Sequence, residues 1–578
     1  MFSRHYQGEL AFLRAMGKEF AATHPSIAGL LTERGGDPDV ERLLEGFAFL
    51  TARTRERLEA GVPEIVHDLT EIMVPQYLRP VPAASIVEFT PITGVLRARA
   101  HLPAGAEVAS VAVDGNSCRF RTSVDLTLVP VSVQDAVLDQ AIGASPAIRI
   151  QLQAPLAALP SVLQDDGIRF FIHGELPLAT TLLLWIGRHL AAAELRAPGS
   201  GRTVQLGARS VRLAGGSIPL FPWPGLAPAG YRSLLEYFTL PQKFLFFDVT
   251  GLSAARDLAE ERLELVLRFD RPPELPARIG KDTFRPNCAP VANLFATSGE
   301  PVRVEVLGEE HLVRAAGMET RHAEVYSVDS VEGVADVRGV HRPYAAYSSF
   351  GHGAEGREAR FYRLRRRSSI LDDGVDTFVS LGTPRDGGPG GEETLSLQLT
   401  CTNRSLPAQL KLGELSVATQ SSPTTARFRN VVPVTKPIRP PLGTELHWRL
   451  VAHLASSRAS LARPETLQTL LDLYNLPALL DQHSGRANRL RIEGIRGAEA
   501  TTARRVLGGA VVRGTKVALE LDEAHFAGPG DAFLFGEVLD ELFASQVGLN
   551  GFTEFSARLH PSLREYAWTP RNGTRPLL

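Results

Sequence analysis

Apolar residues at helical spacing open the chain. Tyr6, Leu10, Leu13, Met16 and Phe20 recur every three or four positions and so share one helix face. His24-Pro25 ends that pattern, because proline disfavours helical backbone in the residue before it. A second pattern opens at Asp37-Pro38-Asp39, an N-cap residue followed by proline at the first helical position. Its stripe is Val40, Leu43, Leu44, Phe47, Leu50 and Leu58, and Gly61 and Pro63 predict its end. A third helix is predicted from about Glu64 to Val74, where Pro75 stops it. Burying the large side chains of the second stripe gains roughly 10–15 kcal/mol. Ordering the backbone costs on the order of 1–2 kcal/mol per residue. The stripe therefore needs a packing partner, either inside this chain or in a bundle shared with another subunit.

The pattern changes at YLRPVPAASIVEF (77–89). Pro80 and Pro82 push Arg79 and Val81 toward extended backbone, so helix cannot run through this stretch from Tyr77. Beyond it, alternation dominates: Ser85, Val87 and Phe89 point one way, Ile86 and Glu88 the other. Strands are predicted at 120–131, 147–153, 169–173, 203–213, 244–250, 262–270, 301–306, 323–332 and 395–401. Helices are predicted near 178–195, 464–474 and 534–546. A Pro/Gly/aromatic stretch at 214–230 and a Gly-rich one at 382–393 read as loops. The prediction is a multi-domain α+β chain. It has a helical arm (1–82), two β-rich domains (83–230 and 231–385) and a C-terminal α+β domain (386–578).

With 578 residues the chain is long enough to bury several cores. A formal net charge of −2 gives no global field toward nucleic acid or an anionic membrane. Almost all the cations are arginine; the lysines are Lys18, Lys243, Lys281, Lys411, Lys436 and Lys516. Cys118, Cys288 and Cys401 lie far apart and form no disulfide framework, which fits a reducing compartment. The most apolar run, Leu182 to Ile186, falls far short of a membrane span. A cytoplasmic protein with no membrane insertion is expected.

Chemical motifs are incomplete. Gly351 to Gly356 matches G-x-G-x-x-G, yet the residues after it (REARFYRLRRR) alternate like a strand, where a dinucleotide site needs a helix. A nucleotide-binding enzyme built on that loop is the alternative reading. His322-Ala323-Glu324 matches the H-x-E of zinc deaminases but has no P-C-x-x-C partner. Gly280-Lys281-Asp282 lacks the rest of a phosphate-binding loop, and Asp165-Asp166 and Asp372-Asp373 suit solvated turns. Arg363, Arg365 and Arg367 would share one sheet face, either solvated or meeting an anionic protein partner. No nucleophile, base and oxyanion site come together, and no catalytic residue, metal or cofactor is expected.

A set of longer segments carries a resemblance along nearly the whole chain. They are YQGELAFLRAMGKEFAATHP (6–25), DPDVERLLEGFAFLTAR (37–53), the stretch at 77–89, GYRSLLEYFTLPQKFLFFDVTGL (230–252) and NCAPVANLFATSGEPVRV (287–304). EVYSVDSV (324–331), LTCTNRSLPAQL (399–410), LHWRLVAHL (446–454), AFLFGEVLDELFA (532–544) and GLNGFTEF (548–555) continue it. The chain resembles the TssF family, wedge subunits of the type VI secretion baseplate. It departs from the family at ASSRASL (455–461), where an Asn-containing segment is usual, and in its Gly-rich 382–393 region.

The resemblance implies a structural, non-catalytic role. It implies assembly with a TssG-type subunit and a second copy of this chain around a spike hub. It further implies contacts to TssK-type trimers and a TssE-type sheath adaptor, and recruitment to a baseplate docked at the inner membrane. It also favours a shared helical bundle as the partner of the arm, with Leu10, Leu13, Phe20, Val40, Leu43, Leu44, Phe47, Leu50 and Leu58 as interface residues. Tyr77, Arg79, Pro80 and Pro82 are expected to form a stiff joint. Tyr237, Phe238 and Phe244 are expected in a core, and Thr402, Asn403 and Arg404 in a hydrogen-bonded loop.

Overall fold

A computed structural model describes residues 2–23, 38–140, 145–223, 228–304, 309–335, 341–347, 360–369, 374–382, 393–442, 444–455, 463–480, 483, 485–507, 510–548 and 550–573. The chain forms two compact units. One is Met1–Leu78 with Pro441–Leu450; the other is Arg79–Pro440 with Val451–Leu578.

The smaller unit holds helices α1 (Phe2–Thr23) and α2 (Pro38–Met73). α2 is a single helix about 54 Å long, which corrects the predicted break at Gly61 and Pro63. Leu43, Phe47, Leu50, Leu58, Ile65, Leu69 and Ile72 keep one helical phase across that point. Leu58 and Ile65 are two turns apart, and the missing proline N–H removes only one of the many backbone bonds. A short 3₁₀ turn, Pro75–Tyr77, comes next.

In the larger unit the first sheet has the strand order Leu415–Ala418, Glu107–Val113, Asn116–Thr122, Cys288–Ala292, Ala84–Pro91, Ala426–Asn430. Strands from 84–122, 288–292 and 415–430 thus pair in one sheet. Val87, Phe89, Phe120, Val291 and Phe428 form its core. Another sheet is built around Glu393–Thr402 and Glu324–Ala335 over a core of Phe295, Val331, Leu395, Leu397 and Leu399.

Several predicted elements differ in extent. The helix predicted at 178–195 stops at Arg188, and Leu190–Arg196 is a strand between Thr203–Gln205 and Arg262–Phe269. Its Ala-Ala-Ala-Glu sequence favours helix locally, but pairing on both sides overrides that preference. The predicted strand at 120–131 divides into parts of Asn116–Thr122 and Leu126–Leu128, which belong to different sheets. Residues 203–213 divide in the same way around a 3₁₀ turn at Ala208–Ser210. Ala147–Gln153 and Pro464–Tyr474 have the predicted bounds.

The C-terminal part is a βαβ arrangement. A long hairpin, Ile495–Leu507 and Ala510–Asp522, is followed by helix Pro529–Ser545 and by strand Gly551–His560, parallel to the second arm. Helix Pro529–Ser545 packs on helices Leu176–Arg188 and Ala229–Thr239. Gly530 and Gly230 permit this approach. A Cβ on Gly530 would lie 2.4 Å from the backbone of Thr180 and Thr181, and one on Gly230 would lie 2.5 Å from Leu542 Cα.

Candidate interaction surfaces

α1 and α2 pack on each other, and the Arg14 guanidinium meets the Glu41 carboxylate at 2.7 Å between them. Helical periodicity puts Ala48 and Ala52 on the Glu41 side of α2, and both are fully buried. Leu44 lies on that side, half-buried. The large apolar residues of α2 sit elsewhere. Leu43, Phe47 and Leu50 share the opposite side and are 62%, 61% and 61% exposed. Further along, Leu69, Ile72 and Met73 are exposed too.

α1 repeats the arrangement. Leu10 and Leu13 are half-buried on the Arg14 side, while Phe12, Met16 and Phe20 form an exposed row. The side chains of Val40 and Leu58 lie outside the described residues. Among the described residues the fully buried positions between these helices are the small Ala48 and Ala52, the inner leucines are only half-buried, and larger apolar side chains stand outside, unlike a helix pair that completes its own core. Trp448 of the same unit is exposed as well.

The proposed joint residues divide between the units: Tyr77 is in the smaller, Arg79, Pro80 and Pro82 in the larger. Val81 is bridged to Ile438 by two backbone hydrogen bonds of 2.8 and 2.9 Å. The Arg79 guanidinium lies 5.5 Å from the centre of the Tyr326 ring.

In the larger unit the resemblance segments build buried polar clamps. Asn403 Oδ1 accepts from the Arg119 N–H at 2.9 Å and from Asn293 Nδ2 at 2.8 Å. The Asn403 N–H donates to Asn293 Oδ1 at 2.7 Å. Arg404 has φ 55°, and its N–H donates to Thr402 Oγ1 at 3.2 Å. Asn287 makes a matching clamp: its Oδ1 accepts from the Val129 N–H at 2.7 Å and its Nδ2 donates to Val129 O at 2.9 Å. Each satisfies backbone groups that would otherwise be buried without partners. Tyr237 is fully buried among Phe238, Phe244 and Phe535, and burial pushes its hydroxyl well above its ordinary pKa. Arg491, paired with Asp531 at 2.9 Å, lies over that ring.

A buried ion pair sits next to this cluster. Lys243 Nζ is 2.7 Å from Glu236 Oε2, and both side chains are wholly buried. Glu236 Oε1 accepts from the N–H groups of Leu220 and Phe221 at 2.7 and 3.1 Å. The ammonium also lies 4.0 Å from the centre of the Phe244 ring. Sequence reasoning passed over Lys243 because an isolated lysine is usually exposed. Its setting, LPQKFLFF, was the available signal.

The remaining motifs take structural parts. His322 Nδ1 faces Asn116 Nδ2 at 3.1 Å, and Glu324 Oε1 accepts from the Val375 N–H at 2.8 Å. Arg365 and Arg367 both reach Glu310, at 2.8 and 2.7 Å, so part of the basic cluster is neutralised within the chain. Gly351 to Gly356, Asp372 and Asp373 lie outside the described residues. All three cysteines are buried; burial pushes the Cys118 thiol up to about 11 and the Cys401 thiol up to about 12. Thiols held that high are poor nucleophiles. Among the described residues no group of three or more His, Cys, Asp or Glu is placed to hold a metal ion.

The family profile described as "Type VI secretion system, TssF" matches residues 1–575. The chain belongs to the TssF family. It is 30% identical to the type VI secretion system component TssF1 of Pseudomonas aeruginosa, with 99% of each chain covered. It is similar to a chain of the TssK-TssF-TssG baseplate subcomplex solved by cryo-electron microscopy, with TM-score 0.79 and 30% identity over 93% of this chain and 99% of that one. A chain of a solved type VI secretion baseplate complex matches with TM-score 0.63 and 26% identity over the full length of both.

His453 of this TssF chain gives a test of pH dependence. His453 is half-buried against Tyr231 and Tyr474, with ring centres 4.6 and 6.4 Å away. Burial lowers its pKa to about 4. The folded state thus favours neutral imidazole, and this contribution is full above the unfolded value of about 6.5. It is lost as pH falls from there toward 4, on the order of 3 kcal/mol in all. Asp540 acts in the opposite sense: burial raises it to about 6, so acidification through that value relieves a buried charge. Comparing wild type with His453→Leu at each pH cancels the Asp540 contribution. The urea midpoint of wild type is expected to fall relative to the variant between about pH 6.5 and pH 4; a pH-independent difference would contradict the assignment.

Proposed function

We propose that this chain is a non-enzymatic wedge subunit of a type VI secretion baseplate, and that α1 and α2 are the arm through which it is held. The observation that carries the reading is the outward row of Leu43, Phe47 and Leu50, which has no counterpart in a self-sufficient helix pair. The partner across that row is a TssG-type subunit, with a second copy of this chain in the same bundle, packed by knobs-into-holes contacts. TssK-type trimers, a TssE-type sheath adaptor and the spike hub are further neighbours in this reading. So are a joint at Tyr77, Arg79, Pro80 and Pro82, and cytoplasmic residence with recruitment to a baseplate at the inner membrane. No helix among the described residues is long and apolar enough to cross a membrane. Obligate interfaces of this kind bury upward of about 2,000 Å².

The test is deletion of residues 1–75 in a chain co-expressed with its TssG-type subunit. The expected product is a folded, β-rich protein that no longer co-purifies with the partner; undiminished co-purification rejects the arm reading. Titration with nucleotides settles the alternative enzyme reading, for which no binding is expected.

A further inference from the structure

Residues 565–573 lie across helix Pro529–Ser545 as a strap. Glu565–Ala567 and Arg571–Asn572 pair with strand Gly551–His560. The N–H groups of Trp568 and Gly573 donate to Phe555 O and Gly551 O, each at 2.9 Å. Trp568 and Arg571 reach the helix. A Cβ on Gly536 would lie 2.3 Å from the Trp568 ring, so the indole seats where the helix has no side chain. The ring also stacks on Phe533, with centres 5.9 Å apart. Phe533, Gly536, Glu537 and Asp540 recur at helical spacing, so the strap covers one face of the helix.

Two carboxylates stand on that covered face. Trp568 Nε1 donates to Glu537 Oε1 at 2.7 Å, and Arg571 Nε meets Asp540 Oδ2 at 2.5 Å. Asp540 is 1% exposed and Glu537 is half-buried, whereas the Arg571 side chain is 44% exposed. Arg188 of helix Leu176–Arg188 lies over the Trp568 ring at 4.9 Å and donates to Ala567 O. Its charge acts on both carboxylates from a distance, as it does on Tyr566 of the strap. Glu541, on their own helix, accepts from Ser233 Oγ of helix Ala229–Thr239 at 2.8 Å. Strand Gly551–His560 contributes the Phe555 ring, 4.8 Å from that of Trp568.

Closing the strap therefore takes water from two carboxylates and brings one cation into direct contact. Desolvation penalises the ionised acid and spares the neutral one. Burial raises Asp540 from 3.8 to about 6 and moves Glu537 in the same direction. With the strap lifted, both acids meet water again and return toward their ordinary values.

We propose that residues 565–573 are a proton-controlled strap, closed tightest on helix Pro529–Ser545 when Asp540 and Glu537 are protonated and lifting ahead of the rest of the unit when both are ionised. Lifting bares the edge of strand Gly551–His560 and the Phe533 and Phe555 rings beneath Trp568. The closed strap holds the Asp540 proton more tightly than the open one, so acid favours closure. That gain is complete below about 3.8 and is lost as pH rises through about 6. Arg571 opposes it by favouring ionised Asp540, and its exposure to water weakens that opposition. The device stands whether or not the baseplate reading holds.

The experiment is hydrogen–deuterium exchange on the full chain from pH 5 to pH 8. It follows 563–573, with the core strand 395–402 as reference, and divides each rate by the intrinsic rate at that pH. Opening of the strap is expected to be about tenfold greater at pH 8 than at pH 5, the change that 3.8 and about 6 give for Asp540 alone, while 395–402 stays protected. Asp540→Asn is expected to remove most of that rise and to leave the strap more closed than wild type at pH 8. Arg571→Gln removes the cation and keeps the charge, so its strap should open further than wild type at pH 8 and little further at pH 5.

A strap looser than wild type at pH 8 in Asp540→Asn overturns the proposal, since the ion pair and not the buried charge would then set closure. Wild-type strap exchange that ignores pH, or that rises only together with 395–402, overturns it as well. If Asp540→Asn does not fold, Arg571→Gln decides: equal loosening at pH 5 and pH 8 overturns the strap, and loosening confined to the higher pH supports it.

Discussion

Lys243→Ala is expected to destabilise the larger unit by about 3–5 kcal/mol, because it removes one partner of a wholly buried ion pair and leaves the other. Glu236 would lose the ammonium at 2.7 Å, keeping the longer ion pair to the Arg232 guanidinium at 3.8 Å and the N–H groups of Leu220 and Phe221. The loss extends to the loop those residues belong to. A Cβ on Gly215 would lie 2.2 Å from Phe244 O, so this loop is fitted closely against the segment that carries the lysine. The measurement is the urea midpoint together with hydrogen exchange in 215–221 and 229–249, since a chain of several cores does not unfold in one two-state step.

A double replacement separates charge from packing. Glu236→Gln keeps an oxygen acceptor for both N–H groups while removing the charge. Combined with Lys243→Met, it is expected to recover most of the stability lost in Lys243→Met alone. If the double variant is as unstable as the sum of the singles, the pair is not coupled and the account fails.

That pair shows where sequence reasoning reached and where it stopped. The aromatic residues of the resemblance segment 230–252 were expected in a core, and Tyr237, Phe238 and Phe244 are buried. A charge inside that core is set by neighbours distant in sequence, Leu220 and Phe221, and no local periodicity reports them. The strand Ala147–Gln153 was legible because it alternates and is bounded by turn residues. Leu190–Arg196 was not, because its alanines carry helical preference and only its two sheet neighbours make it a strand. The first sheet is the extreme case: Ala84–Pro91 pairs with Cys288–Ala292 and Ala426–Asn430, contacts that alternation cannot specify. In the arm, the stripe was visible from spacing alone. Its division was not: Leu44 turns toward α1, while Leu43, Phe47 and Leu50 turn away. The small residues that make the inner contact, Ala48 and Ala52, carry no hydrophobic signal strong enough to mark an interior face.

That division sets the second large effect. Phe47→Asp combined with Leu50→Asp is expected to abolish capture of the TssG-type subunit while leaving the isolated chain as stable as wild type. Both side chains are mostly exposed in the single chain, so their replacement removes no internal packing. In a shared bundle each would be buried, at about 1.5–3 kcal/mol apiece. Adding the cost of burying two unpaired carboxylates makes the loss of affinity about a thousandfold or more. Ala48→Asp makes the converse comparison. It places a charge at a fully buried position on the Glu41 side, so it should unfold the arm itself and lower its helical content by circular dichroism. The arm reading requires these two outcomes to separate: lost capture with helix intact for the outer pair, lost helix for the inner position. If the outer pair also lost helix, Phe47 and Leu50 would be supporting the arm from within. If the outer pair kept full capture, the partner would be held by another surface of the chain.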